Sequence, residues 1–316
     1  MTKIKAVAFS DYGPADVLRL VDVDMPVAGP GQVRIAVRAA GVNPLDHKLR
    51  GGGLAEVFPL ALPHIPGVEA AGVVEAVGEG VAGVQAGDTV LGRTLTGAYA
   101  EQALARADEL VVKPVSLCWE RAAALPVAAE TAWRTLAELG VGEGETLLIH
   151  GAAGGVGTLA VQLARSRGVR VIGTASRFNH EYLRGLGAIP VEYGEGLADR
   201  VREAAPEGVA AALDAVGKGD AVGVSVELTG DPGRVVTIAD AGGAARHGVR
   251  FSSGAPAAPD GASTTAVPAL TAALALHDAG ILQLPIHRKY PLAEAAEAHR
   301  ASEHGHLTGK IVLTVP

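Results

Sequence analysis

Hydrophobic and polar positions follow two rhythms along this chain. Up to about residue 120, short runs alternate apolar with polar and are separated by Gly, Pro and Asp: KAVAFS, LRLVDV, QVRIAVRAAGV, VEAAGVVEAVG, DTVLG and AYAEQALA. A period of two with frequent turns predicts half-buried strands in a small antiparallel barrel or sandwich. Trp119 to Leu139 carries a helical pattern, broken near its middle by Pro126, which lacks the donor a helix interior needs. From Glu145 the strands lose their alternation. TLLIH, VRVIGTA, IPVEY, VAAALDAV and GRVVTIA are nearly all apolar, and the helical stretches TLAVQLARSRG, HEYLRGLG, LADRVREAA and AVGVSVELT lie between them. GVRFSSG reads as the last strand of this series. Apolar strands alternating with helices predict a doubly wound parallel sheet with both faces covered.

After the series the first style returns. TTAVPALTAALALHDAG reads as a helix, IHRKYPL as a strand, AEAAEAHRASEHG as a helix and GKIVLTVP as a final strand. The expected class is α/β, one domain interrupted by another. A β-rich domain is built from residues 1–122 and 257–316, and a nucleotide-binding domain, 123–256, is inserted into it. The Pro-, Ala- and Gly-rich stretch 252–263 is a crossover between them or a loop.

Composition narrows the picture. Aromatic residues make up only 3% of a chain that is 48% hydrophobic, so the core is packed from Val, Leu, Ile and Ala. The net charge of −7 is spread out, with no block of Lys and Arg of the kind nucleic acid binding requires. The single cysteine, Cys118, excludes an intrachain disulfide and a cysteine-built zinc site. No apolar run is long enough to cross a bilayer, and MTKIKAVAFSDYG lacks the features of a signal peptide. A cytoplasmic setting without membrane or nucleic acid partners is expected.

The most informative stretch is LLIHGAAGGVGTLAVQLA, Leu147 to Ala164. A strand ends, a tight glycine turn follows, and a helix opens. Gly154, Gly155 and Gly157 allow the backbone to approach a ligand, and the helix N-terminus offers N–H groups to a pyrophosphate. Ala153 and Val156 belong to the same loop. The first glycine of the G-x-G-x-x-G pattern is alanine here, but the strand–turn–helix context is the one the pattern requires. About 20 residues further on, where an NAD site carries Asp or Glu, the chain reads Thr174-Ala175-Ser176-Arg177. A hydroxyl and a guanidinium suit a 2′-phosphate, which makes NADPH the expected cofactor.

These motifs resemble a family. GVNPLD (41–46), PGVEAAGVVEAVGEGVAGVQAGDTVLG (66–92), GAYAE (97–101), HGAAGGVG and the closing RKYPLAEAAEAHRASEHGHLTGKIVL are similar to the medium-chain dehydrogenases/reductases, in their zinc-free quinone oxidoreductase branch, which includes zeta-crystallin. The resemblance runs end to end and implies a GroES-like catalytic domain with an inserted Rossmann domain. Zinc-dependent relatives carry a cysteine ligand where this chain has Asn43, and a histidine where it has Val68. No metal is therefore expected.

The resemblance also implies site residues. Asn43 lies beside the nicotinamide and the acceptor, where its amide can donate to a carbonyl oxygen as charge develops, and Tyr99 lies near the same pocket. Thr131 contacts the cofactor's phosphate or ribose, Tyr193 the adenosine phosphate, and Ile238 faces the cofactor. Lys310 is on its far side, and Phe251 and Ser253 of the closing strand complete the set. From the residues alone, Asn43 before Pro44 is a turn former, Tyr99 can be core, and Asp46 orients His47 or Lys48 or, preferably, caps a short helix. The function expected is hydride delivery from NADPH, without a metal, to a quinone or α,β-unsaturated carbonyl. Two alternatives stay open: an enoyl reductase acting on a biosynthetic, polyketide-type intermediate, and an NADPH-binding protein with a structural or regulatory role. A homodimer joined through the edge strand 248–254 is expected from the same resemblance.

Overall fold

In the computed structural model, which describes residues 2–254 and 263–316, the alternating segments pair as the pattern demands. Strand β1 (Lys3–Ala8) pairs antiparallel with β2 (Arg19–Asp24). Then come β3 (Gln32–Val42), helix α1 (Pro44–Arg50), β4 (Glu69–Val77), β5 (Thr89–Arg93), β6 (Gln102–Arg106) and β7 (Leu110–Val112). Helices α2 (Trp119–Ala124) and α3 (Pro126–Leu139) meet at the expected proline break. The second rhythm forms β8 (Thr146–His150), α4 (Gly155–Arg165), β9 (Arg170–Thr174), α5 (His180–Gly185), β10 (Ile189–Val191), α6 (Leu197–Ala204), β11 (Ala211–Asp214), α7 (Ala221–Thr229), β12 (Val235–Thr237), α8 (Ala241–His247) and β13 (Arg250–Phe251). Helix α9 (Ala266–Asp278), β14 (Ile286–Pro291), α10 (Ala295–His304) and β15 (Lys310–Thr314) close the chain.

Among the described residues, one sheet runs β14-β15-β3-β4-β5-β7, with β6 also paired to β3. Its pairs are antiparallel except β14 with β15. Strand β3 shows why alternation predicted it: Val33, Ile35 and Val37 are buried while Gln32, Arg34 and Ala36 are half-buried. These inward residues join Val74, Val90, Ile311 and Leu313 in one core. The second sheet is parallel throughout, in the order β10-β9-β8-β11-β12-β13. Every residue of β8 is buried, as a central strand covered on both faces must be. Each buried Leu, Val or Ile there contributes roughly 2 kcal/mol of transfer free energy. Strand β13 is an edge of this sheet.

The chain divides into two compact units: Met1–Val127 with Ala266–Thr271 and Leu284–Pro316, and Ala128–Thr265 with Ala272–Gln283. The expected first boundary, at 122/123, falls a few residues before this one, and the second, at 256/257, lies outside the described residues, as does most of the 252–263 stretch. The sequence pattern assigns all of 257–316 to the β-rich part, yet Ala272–Gln283 groups with the sheet unit. Gln162 of α4 explains part of this: its amide donates to the Gln283 carbonyl and accepts from the Gln283 N–H, both at 2.7 Å.

Two expected strands are shorter than their patterns. AYAEQALA forms a strand only from Gln102, because the backbone of Tyr99 is taken by Pro66 and Val7 instead of a ladder. GVRFSSG keeps only Arg250–Phe251 as strand, and Ser252 turns its hydroxyl onto Glu138 at 2.8 Å.

Candidate active site

The sheet unit presents a helix N-terminus without a side-chain cap. The chain leaves β8 through Gly151, whose φ of +71° favours glycine. Gly154 is the N-cap of α4, in extended conformation and with no side chain capping the helix. The N–H groups of the first turn, Gly155 to Gly157, have no intrahelical acceptor and carry the positive end of the helix dipole. At Gly157 a Cβ would stand 2.3 Å from the Gly151 carbonyl oxygen and 2.7 Å from Ala152 Cα. Only glycine lets the helix sit this close to the turn. Ala153 is buried beside it, and Val156 is half-buried.

The end of β9 supplies the residues expected to read the ribose. Ser176 is half-buried and its Oγ accepts from Asn179 Nδ2 at 3.3 Å. Arg177 is 83% exposed, and its Nε donates to Glu192 Oε2 at 2.8 Å. Reading β9 alone missed that carboxylate, which comes from the end of the neighbouring strand β10. Each partner shifts the other: hydrogen bonding to Glu192 raises the Arg177 pKa, and Arg177 holds the Glu192 carboxyl below its usual range. Tyr193 follows Glu192 and is half exposed. Thr131 lies half-buried on α3, its carbonyl accepting the Thr135 hydroxyl at 2.8 Å. Ile238, half-buried after β12, donates its N–H to the Asp214 carbonyl. Phe251 and Ser253 are exposed, on either side of buried Ser252.

Beneath the loop a second polar cluster is fully enclosed. His150, at the end of β8, lies 2.9 Å from Ser225 Oγ through Nε2 and 3.4 Å from Thr174 Oγ1 through Nδ1. Burial lowers its pKa to about 4, partly opposed by Asp214. Asp214 accepts from Val216 N, Gly217 N and Thr237 Oγ1, which fixes the turn after β11.

The β-rich unit gathers a buried network from five separate stretches of sequence. Lys310, at the start of β15, donates from Nζ to Asn43 Oδ1 at 2.5 Å and to Glu69 Oε1 at 2.8 Å. Asn43 Nδ2 donates to the same Glu69 oxygen at 2.8 Å. Glu69 Oε2 accepts the Val127 N–H in the first turn of α3 at 2.7 Å, where the helix dipole also favours a carboxylate. Asn43, Glu69 and Lys310 are 6%, 0% and 6% exposed. Gly41 makes room for this clamp: a Cβ there would stand 2.2 Å from Glu69 Oε1. An ammonium only donates and an ionised carboxylate only accepts, so the clamp fixes which end of the Asn43 amide is oxygen. It also leaves Nδ2 with a second hydrogen.

The preferred reading of Asp46 as a cap holds. Asn43 and Asp46 form a reciprocal capping box at the start of α1, with the Asn43 N–H donating to Asp46 Oδ2 at 2.8 Å. The fully buried Tyr99 donates its hydroxyl to the same Oδ2 at 3.0 Å. Burial pushes the Asp46 pKa up to about 6 against the pull of these two hydrogen bonds and of Lys310. The Tyr99 pKa is raised well above its ordinary value by burial and by Asp46. The structure therefore brings Asn43, Tyr99 and Lys310 into one cluster. It adds Glu69 and Asp46, to which the sequence reading gave no part in the chemistry.

Among the described residues no group of three His, Cys, Asp or Glu side chains could hold a metal ion, and no helix is long and apolar enough to cross a membrane. Glu69 is committed to Lys310, Asn43 and Val127, and Val68 offers no lone pair.

A parallel sheet with an uncapped glycine turn, and a β-rich unit with a clamped asparagine, fit the class of two-part nucleotide-dependent oxidoreductases. Comparison with known proteins specifies it. Residues 29–115 match the alcohol dehydrogenase GroES-like domain, and residues 186–313 match the zinc-binding dehydrogenase family. Pig (Sus scrofa) quinone oxidoreductase is 33% identical, over 98% of this chain and 97% of its own. The quinone oxidoreductase structure from Coxiella burnetii is 33% identical with a TM-score of 0.86, covering 100% of both chains. A mycobacterial protein solved in complex with NADPH is 30% identical with a TM-score of 0.83, over 98% of this chain and 99% of that one. The chain belongs to the medium-chain dehydrogenases/reductases, in their zinc-free quinone oxidoreductase branch, and is an oxidoreductase of that type.

Proposed function

We propose that this enzyme delivers hydride from NADPH, without a metal, to a quinone or an α,β-unsaturated carbonyl. The observation that carries the reading is the clamped Asn43 amide. Its orientation is set by Glu69 and Lys310, and one N–H is left over for a carbonyl oxygen. A donor fixed before reaction stabilises developing negative charge at no cost in reorganisation. An acceptor already electron-poor needs no stronger Lewis acid than this.

Reduced nicotinamide, when bound, supplies the hydride. The chain's own part is to hold and orient. The first turn of α4 receives the pyrophosphate, and Gly157 keeps that turn tight on the strand end. Ser176 and Arg177 receive the 2′-phosphate, where a guanidinium has the matching fork. Thr131, Tyr193, Ile238, Phe251, Ser253 and Lys310 complete the cofactor contacts in this reading. It also includes a cytoplasmic homodimer joined through β13, a sheet edge, which light scattering would report as twice the 31.9 kDa chain mass.

The test is loss of NADPH absorbance with purified protein and a panel of acceptors: 1,4-benzoquinone, 9,10-phenanthrenequinone, a simple enone and an enoyl thioester. Turnover of quinones or enones, unaffected by a chelator, is expected. Turnover of the thioester alone would favour the biosynthetic enoyl reductase. Binding of NADPH with no turnover on any acceptor would favour a structural or regulatory protein.

A further inference from the structure

Asn43 is held from two sides. Its side chain is clamped by Glu69 and Lys310, but its backbone is held by Asp46, and Asp46 is the end of a longer chain. Tyr99 Oη, which donates to Asp46, lies 3.3 Å from His299 Nε2, the two rings edge to face with centroids 5.6 Å apart. His299 Nδ1 lies 3.1 Å from Arg50 Nη1. Arg50 donates from Nε to the Gly13 carbonyl at 3.0 Å and from Nη2 to Glu303. Asp46, Arg50, Tyr99 and His299 are each 3% exposed or less. Four buried polar groups on α1, on α10 and in the turn before β6 would be costly unless each were paired.

The chemistry of the groups gives this chain one direction. A guanidinium has no acceptor, so Nδ1 of His299 must accept. The neutral ring then carries its hydrogen on Nε2 and donates it to the Tyr99 oxygen. The Tyr99 hydroxyl has one hydrogen, which goes to Asp46. Asp46 thus accepts from Tyr99 and from the Asn43 N–H through one oxygen. Desolvation, Arg50 and His47 together keep the His299 pKa at about 3, so the ring is neutral at pH 7. The groups that face Asp46 are Tyr99, Glu69 of β4, Lys310 of β15 and, on its own turn, the Asn43 N–H.

We propose that His299 is a positioning residue: locked by Arg50 in its Nε2–H form, it orders Tyr99 and Asp46 and so fixes the helix turn that presents the Asn43 amide. This rests on the reading of Asn43 as the donor to the acceptor carbonyl. His299 touches neither substrate nor cofactor in this role.

The test compares His299→Gln with His299→Leu. Glutamine can accept from Arg50 and donate to Tyr99, so it preserves the direction, whereas leucine can do neither. Nitrogen-15 NMR of the wild-type protein at pH 7 should show His299 as the Nε2–H form. In His299→Leu, the Asn43 side-chain amide resonances should move and the Asp46 titration, followed by carbon-13, should shift upward. Both should return in His299→Gln. With a quinone acceptor, kcat should fall about tenfold in His299→Leu with little change in KM, and stay within about threefold in His299→Gln. An imidazolium or Nδ1–H form in the wild type would overturn the proposal. So would a folded His299→Leu protein with unchanged Asn43 resonances and kcat, or a glutamine variant no better than leucine. A wild-type protein without turnover would instead remove the proposed function. The NMR comparison would still decide the role of His299.

Discussion

The two regions to which the proposed chemistry is assigned are built in opposite ways. The glycine loop takes its parts from one continuous stretch, Gly151 to Gly157, and the donors it offers are backbone N–H groups. The network around Asn43 takes side chains from positions 43, 46, 50, 69, 99, 299 and 310, and every one is buried. A loop of the first kind binds through backbone shape, so it tolerates changes in side chains and fails when a Cβ is added at the wrong place. A network of the second kind fails when any one partner loses its charge or its direction.

The largest expected effect is at the loop. Gly157→Val puts side-chain atoms on the Gly151 carbonyl and should abolish NADPH binding by calorimetry. Retained affinity would mean that the tight turn is not what holds the pyrophosphate. Lys310→Met comes next: it leaves Glu69 buried without its cation and should destabilise the protein by about 3–5 kcal/mol in denaturant unfolding. A loss below about 1 kcal/mol would show that Glu69 is satisfied without Lys310.

Acid should act on both regions. His150 and His299 have folded pKa values near 4 and 3, far below that of a free histidine. Their contribution to stability is complete above about pH 6.5 and is lost as pH falls toward those values, because the unfolded chain binds the proton first. Asp46, raised to about 6, works the other way: its contribution is full below the ordinary carboxyl pKa and is lost as pH rises through 6. From pH 6.5 to 5 the two histidines outweigh it, and stability should fall by about 2 kcal/mol net. A thermal midpoint that stays level or rises over that interval would mean that at least one of these histidines is not held neutral.

The smaller effects concern the ribose site. Arg177→Ala should weaken NADPH about tenfold or more while leaving NADH nearly unchanged, and equal losses would show that Arg177 does not read the 2′-phosphate. Glu192→Gln should tighten NADPH by only a few-fold, since solvent screens an ion pair this exposed. Weaker binding in this variant would show that Glu192 positions Arg177 instead of competing for it.

The same contrast explains how much was legible in the sequence. Local periodicity predicted the parallel sheet, the β-rich ends and the glycine turn, because those depend on neighbours along the chain. The Asn43 network depends on pairs such as Arg50 with His299, 249 positions apart, which no spacing announces. A signal did exist. Glu69 opens a strand whose next five residues are apolar or small, and His299 shares the buried face of α10 with Ala295, Ala298 and Ser302. A charged or polar residue in an apolar phase must find a partner, although the pattern does not say which. Glu192 escaped notice for the same reason: it reaches Arg177 across a strand pair and not along the chain.

Calorimetric titration of the dialysed protein with NADPH, repeated with NADH, tests the central claim most directly. One NADPH should bind per chain, more tightly than NADH, and should raise the thermal midpoint. No heat and no thermal protection from either nucleotide would contradict the account.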